Sequence, residues 1–248
     1  QGKKFIGMGV AFPGLINAAE GIVTRSVNLG PDWKRFPLRD VLQESTGLVT
    51  VIENNSNASA LAERWFGGGK DSADLVYVNL GEGISAGVMM DDRILQGFQG
   101  HAGEIGHIVM SENGPSCNCG NRGCLEAICG IPALLKRVAE ELPDCAADDP
   151  LRRIWQTKGK IELADIVECS RSEGSCAWRM LQEIGRFVGL AVADVINLYN
   201  PRTVFVGGRL AAAADSFIDM LCATARSHAF PEMACATQIR ISALGNEA

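Results

Sequence analysis

Leu75-Val76-Tyr77-Val78-Asn79-Leu80-Gly81-Glu82-Gly83-Ile84-Ser85-Ala86-Gly87-Val88-Met89-Met90 is the stretch on which the fold turns. Residues 75–80 form a continuous apolar run of strand length, which reads as a buried strand. Gly81 to Gly87 reads as a glycine loop, residues 88–90 as the next strand, and Asp91-Asp92 as a turn. Glycine loops of this kind cradle phosphate through backbone N–H groups, but tight strand–strand turns also use glycine. Glu82 places a carboxylate within the loop, where it repels a polyphosphate.

Upstream, residues 5–12 read as a buried strand ended by Pro13-Gly14. Residues 15–17 and 22–24 read as a hairpin, 28–33 as loop, 38–45 as a short helix, 49–52 as a strand and 57–66 as a helix. Downstream, Gly-, Cys- and Asn-rich loop is expected as far as Cys129. Helices are expected over 132–141, 163–170, 176–198 and 211–227, with strands over 202–206 and 239–243. The Ala/Leu/Val stripe over residues 184–198 reads as a core helix, and its small residues suit a lobe or dimer contact. Strands alternating with helices give an α/β fold, and the boundary falls near Glu53-Asn54.

Composition excludes several function classes. The 248 residues are 47% hydrophobic with a net charge of −6, enough for a sizeable core and too acidic for a stand-alone nucleic-acid binder. No apolar run approaches the roughly 20 residues that span a bilayer. Nine Cys, an odd number, with no leader peptide, lead us to expect reduced thiols in the cytoplasm and no disulfide framework. The chain opens at Gln1 and enters an apolar run within a few residues, so it reads as a piece of a longer protein.

The strongest motif is His107 followed by Cys117-Asn118-Cys119-Gly120-Asn121-Arg122-Gly123-Cys124. Three thiolates and an imidazole make a closed tetrahedral set suited to structural zinc. These cysteines stand in a polar Gly/Asn loop, whereas buried structural cysteines stand on strands and helices. Cys129, among Ala127, Ile128 and Ile131, is a weaker candidate ligand and fits a core position. The lone histidines His101 and His228 fit hydrogen-bonded structural positions.

Taken together, these segments resemble the ROK family (repressors, open reading frames and sugar kinases). The resemblance runs through Leu80, Gly83-Ile84, Ala86-Gly87-Val88, Gly97, Gly103 and Gly106-His107, with Ser85 where the family prefers Gly. It continues through the zinc motif, Pro13-Gly14, Asn28-Leu29, Glu53-Asn54-Asn55 and Gly207-Gly208. It implies a two-lobed, actin-like ATPase (ribonuclease H-like) fold with a zinc-bound loop and part of the small lobe missing at the N-terminal side. Residues 1–53 would belong to the small lobe and 54–248 to the large lobe with its zinc site and sugar cleft. Carried over, Asn54, Asn55, Glu104, His107 and Glu126 would bind sugar hydroxyls, and His107 would also ligate zinc. Gly81, Gly83, Gly87, Gly207 and Gly208 would be remnant nucleotide loops.

Three departures from the kinase pattern point one way. The family's catalytic Asp is Asn55 here, and an amide cannot accept a proton from a sugar hydroxyl. Glu82 stands for the phosphate-loop Thr, and Ser85 adds bulk where backbone would approach a nucleotide. The expectation is a sugar-sensing domain of a carbohydrate-responsive regulator resembling xylose-operon and N-acetylglucosamine repressors. Its partners would be a sugar effector, a second copy or more of the chain, and DNA only through a helix-turn-helix preceding Gln1, with no membrane contact. The competing classes are an ATP- and Mg-dependent sugar kinase of the glucokinase, fructokinase or N-acetylmannosamine kinase kind, and a metal-stabilised sugar-binding protein without a DNA partner.

Overall fold

The central sheet grows from the run that opens the sequence analysis. In the computed structural model, which describes residues 4–30, 32–211 and 215–244, Leu75–Leu80 (β6) is the middle of five strands in the order β10-β9-β6-β7-β8. Its neighbours are β7 (Ile84–Met90), antiparallel, and β9 (Thr203–Gly207), parallel. β8 (Arg93–Ile94) and β10 (Gln238–Ile241) form the edges. β6 is buried on both faces because its side chains alternate between two cores. Val76, Val78 and Leu80 join the large helical core, whereas Leu75 and Tyr77 pack with Met89 and Phe205 on the opposite face.

The first 54 residues build separate sheets. β1 (Met8–Phe12) pairs in parallel with β5 (Thr50–Asn54), and β2 (Leu15–Asn17), β3 (Ile22–Arg25) and β4 (Lys34–Phe36) form an antiparallel meander. Helix α1 (Leu38–Thr46) closes a small core of Ile16, Val23, Leu38 and Ile52, with Phe12, Trp33 and Phe36 packed around it. Helix α2 (Asn55–Trp65) leaves β5 directly and covers the second face of the central sheet through Ala60 and Leu61.

The remaining helices cover the first face. They are α3 (Leu125–Cys129), α4 (Ile131–Glu141), α5 (Pro150–Lys158), α6 (Leu163–Cys169), α7 (Cys176–Tyr199), α8 (Asp215–His228) and α9 (Pro231–Ala236). Ser175 caps α7 by accepting the Trp178 N–H, and Asn200 ends it in the left-handed conformation. Gly185 and Gly189 let α8 approach closely: a Cβ on Gly185 would lie 2.8 Å from the Phe217 carbonyl oxygen, and one on Gly189 2.7 Å from that of Leu221. Gly185 and Gly189 thus serve the packing of α7 on α8.

Among the described residues, five sheet strands and α-helices escaped the sequence patterns: β4, β8, α3, α5 and α9. The expected seven-residue glycine loop is also shorter, since β7 begins at Ile84 and only Gly81-Glu82-Gly83 turn the chain. Expected loop residue Pro31 and positions 212–214 of the expected 211–227 helix lie outside the described residues.

Reduced thiols were expected throughout, but Cys145 and Cys176 form a disulfide. The sequence could not show this, because the two cysteines are 31 positions apart and meet only when α7 docks. Among the described residues, no helix is long and apolar enough to cross a membrane.

Candidate functional site

The His–Cys cluster assembles on a stretch with almost no regular structure. His107 ends a 3-10 turn (Ile105–His107), and Cys124 is the N-cap of α3. Between them the chain folds back on itself. Isolated bridges pair Val109 with Cys124 and Ser116 with Arg122, and the Cys117 N–H donates to the Asn121 carbonyl at 2.8 Å. Gly123, at φ 67°, is required here: a Cβ would lie 1.6 Å from the Ser111 carbonyl oxygen.

The donor atoms of His107, Cys117, Cys119 and Cys124 all lie within 4.8 Å of one another. Cys117 Sγ is 3.7 Å from His107 Nδ1, and Cys119 Sγ is 3.7 Å from Cys124 Sγ. A zinc–sulfur bond of about 2.3 Å gives a tetrahedral edge of about 3.8 Å, so the spacing fits zinc. Burial and the two neighbouring thiols push the Cys124 thiol up to about 12. Three thiolates this close repel one another, a repulsion that a bound cation would relieve. Cys129 lies apart from this group, fully buried in the large helical core, and is not a member of it.

The other nitrogen of His107 faces away from the cysteines. Its Nε2 is 3.8 Å from Glu104 Oε2. Burial holds the Glu104 carboxyl above the usual carboxylate range, with the nearby Glu126 charge adding to the effect and His107 opposing it. Glu126, on α3, accepts the backbone N–H of Ile84 at 3.0 Å. Asn54 is the N-cap of α2: its Oδ1 accepts from Ser56 N at 2.8 Å and Asn57 N at 3.3 Å. Its Nδ2 donates to the Gly14 carbonyl at 2.9 Å, which ties the Pro13-Gly14 turn to the helix.

These residues surround one cleft of about 550 Å³, lined by Asn54, Asn55, Glu104, His107 and Glu126 together with Asn28, Asn79, Glu82, Gly83 and Asn118. Its lining is rich in amides and carboxylates that converge from both halves of the chain, which suits a polyol. A larger depression of about 730 Å³ lies between the ends of α8, α9 and β10 and holds none of them.

The five glycines separate. Gly81 and Gly83 form the β6–β7 turn, with Gly83 on the cleft wall. Gly87 lies inside β7, where a Cβ would be 2.1 Å from the Ser56 carbonyl oxygen, so it admits α2 and faces no open surface. Gly207 ends β9 above the Tyr77 hydroxyl, and Gly208 turns at φ 89° over Leu80. The two turns are joined by an ion pair, Arg209 Nη1 to Glu82 Oε1 at 2.7 Å.

Sequence reasoning missed Asn79, Asn118 and Arg209. Asn118 sits between two metal-type cysteines, which hold its neighbours inward and present its amide to Asn28 across the cleft at 3.5 Å. That position in Cys-x-Cys was the available signal. His101 and His228 are structural, as expected: His101 Nε2 lies 3.3 Å from Thr24 Oγ1, and His228 Nδ1 lies 3.0 Å from the Thr224 carbonyl.

All of residues 1–248 match the sequence model of the ROK family. The chain belongs to the ROK family. Two kinds of ROK relative match it almost end to end. One is a glucokinase of Halalkalibacterium halodurans, 33% identical over 247 residues, covering 99% of this chain and 74% of the relative. The other is a xylose repressor of Caldicellulosiruptor bescii, 31% identical over 247 residues, covering 99% of this chain and 61% of the relative. The solved ROK glucokinase of Streptomyces griseus, in complex with glucose and AMPPNP, superposes with a TM-score of 0.88 at 26% identity, covering 99% of this chain and 79% of that one. The α/β, two-lobed actin-like ATPase fold expected from the sequence is the fold of this ROK protein.

Proposed function

We propose that this ROK chain is the sugar-sensing part of a transcriptional regulator and that it has lost phosphoryl transfer. The observation that carries this is Asn55 on the cleft wall, at the position where the family's kinases keep a carboxylate base. An amide hydrogen-bonds a hydroxyl but takes no proton from it. The Glu82–Arg209 ion pair supports the same reading, because it sets a carboxylate in the turn that would face a nucleotide's phosphates.

In this reading, Glu104, His107 Nε2, Glu126 and Asn55 hold the sugar hydroxyls. Asn54 caps α2 and gives one amide hydrogen to Gly14, and its second amide hydrogen is left to meet a sugar hydroxyl. His107 Nδ1, Cys117, Cys119 and Cys124 would hold zinc, which supplies a rigid cross-link for the loop and no open position for water. The chain divides into a small lobe at 1–53 and a large lobe at 54–248, consistent with the separate core of Ile16, Val23, Leu38 and Ile52. Sugar bound across the cleft favours the closed arrangement of these lobes, and that closure is the signal. DNA contact falls to a helix-turn-helix outside these residues, and the working form is a cytoplasmic dimer or higher oligomer.

The 33% identity to a glucokinase favours one alternative, an ATP- and Mg-dependent hexose kinase. Calorimetry with a panel of aldoses and amino sugars, with and without ATP and Mg²⁺, separates the two. A regulator gives saturable heat with one sugar alone and no sugar phosphate. Sugar phosphate formed at an enzymatic rate would overturn the proposal.

A further inference from the structure

Far from the cleft, three ligand-type groups meet in the helical layer: Cys145, Asp149 and Cys176. They could be taken for a second metal set, but the sulfurs are bonded to each other and both carboxylate oxygens are engaged. Asp149 Oδ1 accepts the Leu151 N–H at 2.9 Å and Oδ2 accepts the Cys176 N–H at 2.8 Å. Asp149 therefore caps α5 and fixes the first residue of α7, which holds the two sulfurs in place.

We propose that Cys145 and Cys176 form a thiol–disulfide exchange site for low-molecular-weight disulfides of the glutathione class, with Cys176 as the attacking thiolate. Two independent features distinguish Cys176. It is the first residue of a 24-residue helix, at the positive end of the helix dipole, which favours a thiolate. In addition, the Arg179 guanidinium donates to its sulfur at 3.1 Å. Asp149 opposes this effect, but its charge is already met by two N–H donors. The nearby free thiol Cys169 is pushed up to about 11, chiefly by burial, and so stays protonated at neutral pH.

Cys145 and Cys176 are both buried, each 3% exposed, so exchange requires a local opening, which the Cys145 side offers. Cys145 follows a 3-10 turn (Leu142–Asp144), and its neighbours Ala146, Ala147 and Asp148 are exposed. Opening these few residues uncovers the sulfurs without disturbing the sheet.

The exchange balances in both directions. The Cys176 thiolate attacks one sulfur of the small disulfide, forming a mixed disulfide and releasing one small thiolate. The Cys145 thiolate then attacks Cys176 Sγ, closing the protein disulfide and releasing the second. Two equivalents of small thiol reverse both steps. The closed bond ties the start of α7 to the connection before α5, so oxidation adds a covalent anchor to a segment otherwise held by the Asp149–Cys176 hydrogen bond and by the buried Leu151 and Ile166.

The test equilibrates the purified full chain in glutathione buffers of varied redox ratio, then alkylates it and maps every cysteine by peptide mass spectrometry. The expected result is a reversible midpoint at the 145–176 pair, with the reduced form melting about 5–15 °C lower. In Cys145→Ser, oxidised glutathione should leave a stable adduct on Cys176. In Cys176→Ser, adduct formation on Cys145 should be several-fold slower, and Arg179→Met should slow the Cys176 adduct about threefold or more. The proposal is overturned by a bond that stays closed at every ratio, by thiols free at every ratio, by equal adduct rates on the two cysteines, or by a second equivalent of zinc held at the reduced pair.

Discussion

The carboxylate of Glu126 accepts the backbone N–H of Ile84 at 3.0 Å, which joins the helix that follows the last cluster cysteine to the turn between β6 and β7. A Cβ on Gly83 would lie 2.7 Å from the same carboxylate, so the turn passes close beneath it. The cysteine loop and the glycine turn are thus one mechanical unit facing the cleft.

Glu126→Ala should therefore do two things at once. It removes a charge-assisted hydrogen bond worth about 1.5–3 kcal/mol and a cleft acceptor, so affinity for the sugar found by calorimetry should fall at least about tenfold. Glu126→Gln keeps an acceptor for Ile84 and should recover part of the loss. Unchanged affinity in Glu126→Ala would remove this residue from the site.

The metal proposal has a direct measure. Elemental analysis of the purified chain should give about one zinc per protein, and Cys119→Ser or Cys124→Ser should lose it together with sugar binding. Chelation of the wild type should mimic the variants and be reversed by zinc. Full sugar binding in a metal-free chain would show that the loop holds its shape unaided.

Asn54 offers a test of the wall. Asn54→Ala removes the α2 cap and the bond to Gly14 and should cost about 1–2 kcal/mol in urea unfolding. Asn54→Asp keeps the cap acceptor but cannot donate to Gly14. It should restore most of the stability while leaving sugar affinity reduced. Equal stability of all three proteins would show that α2 is held by packing alone.

Acid stability should respond to Asp165. The Lys158 ammonium 2.5 Å away, together with the backbone N–H of Glu162, holds its carboxyl below the usual carboxylate range. The folded value is the lower one, so the contribution is present above the ordinary range and is lost as pH falls through it toward the folded value. Asp165→Asn should melt lower than wild type at pH 7, and the gap should narrow steadily on acidification. A gap independent of pH would show that the charge is not what matters.

Much of the fold was legible because it rests on short-range patterns. The Leu75–Leu80 run, the 15–17/22–25 hairpin and the long α7 all announce themselves by periodicity and turn residues. β4 did not, because Lys34-Arg35-Phe36 carries no alternation and pairs only once β3 is present. α5 is short, and its apolar stripe is only Leu151 and Ile154 on either side of two arginines, too brief to stand out from a polar stretch. The metal-type cluster was readable from spacing. Arg209 and the Cys145–Cys176 pair were not, since each acquires its partner from a distant part of the chain, and Asn118 was marked only by its place between two cysteines.

Asn55 is the first residue of α2, at the positive end of a helix whose cap is already complete. A carboxylate at that point would be favoured by about 0.3–1 kcal/mol. Folding alone would therefore prefer the acid to the amide. The uncharged side chain is a small debit in stability, and the benefit that offsets it belongs to whatever occupies the cleft.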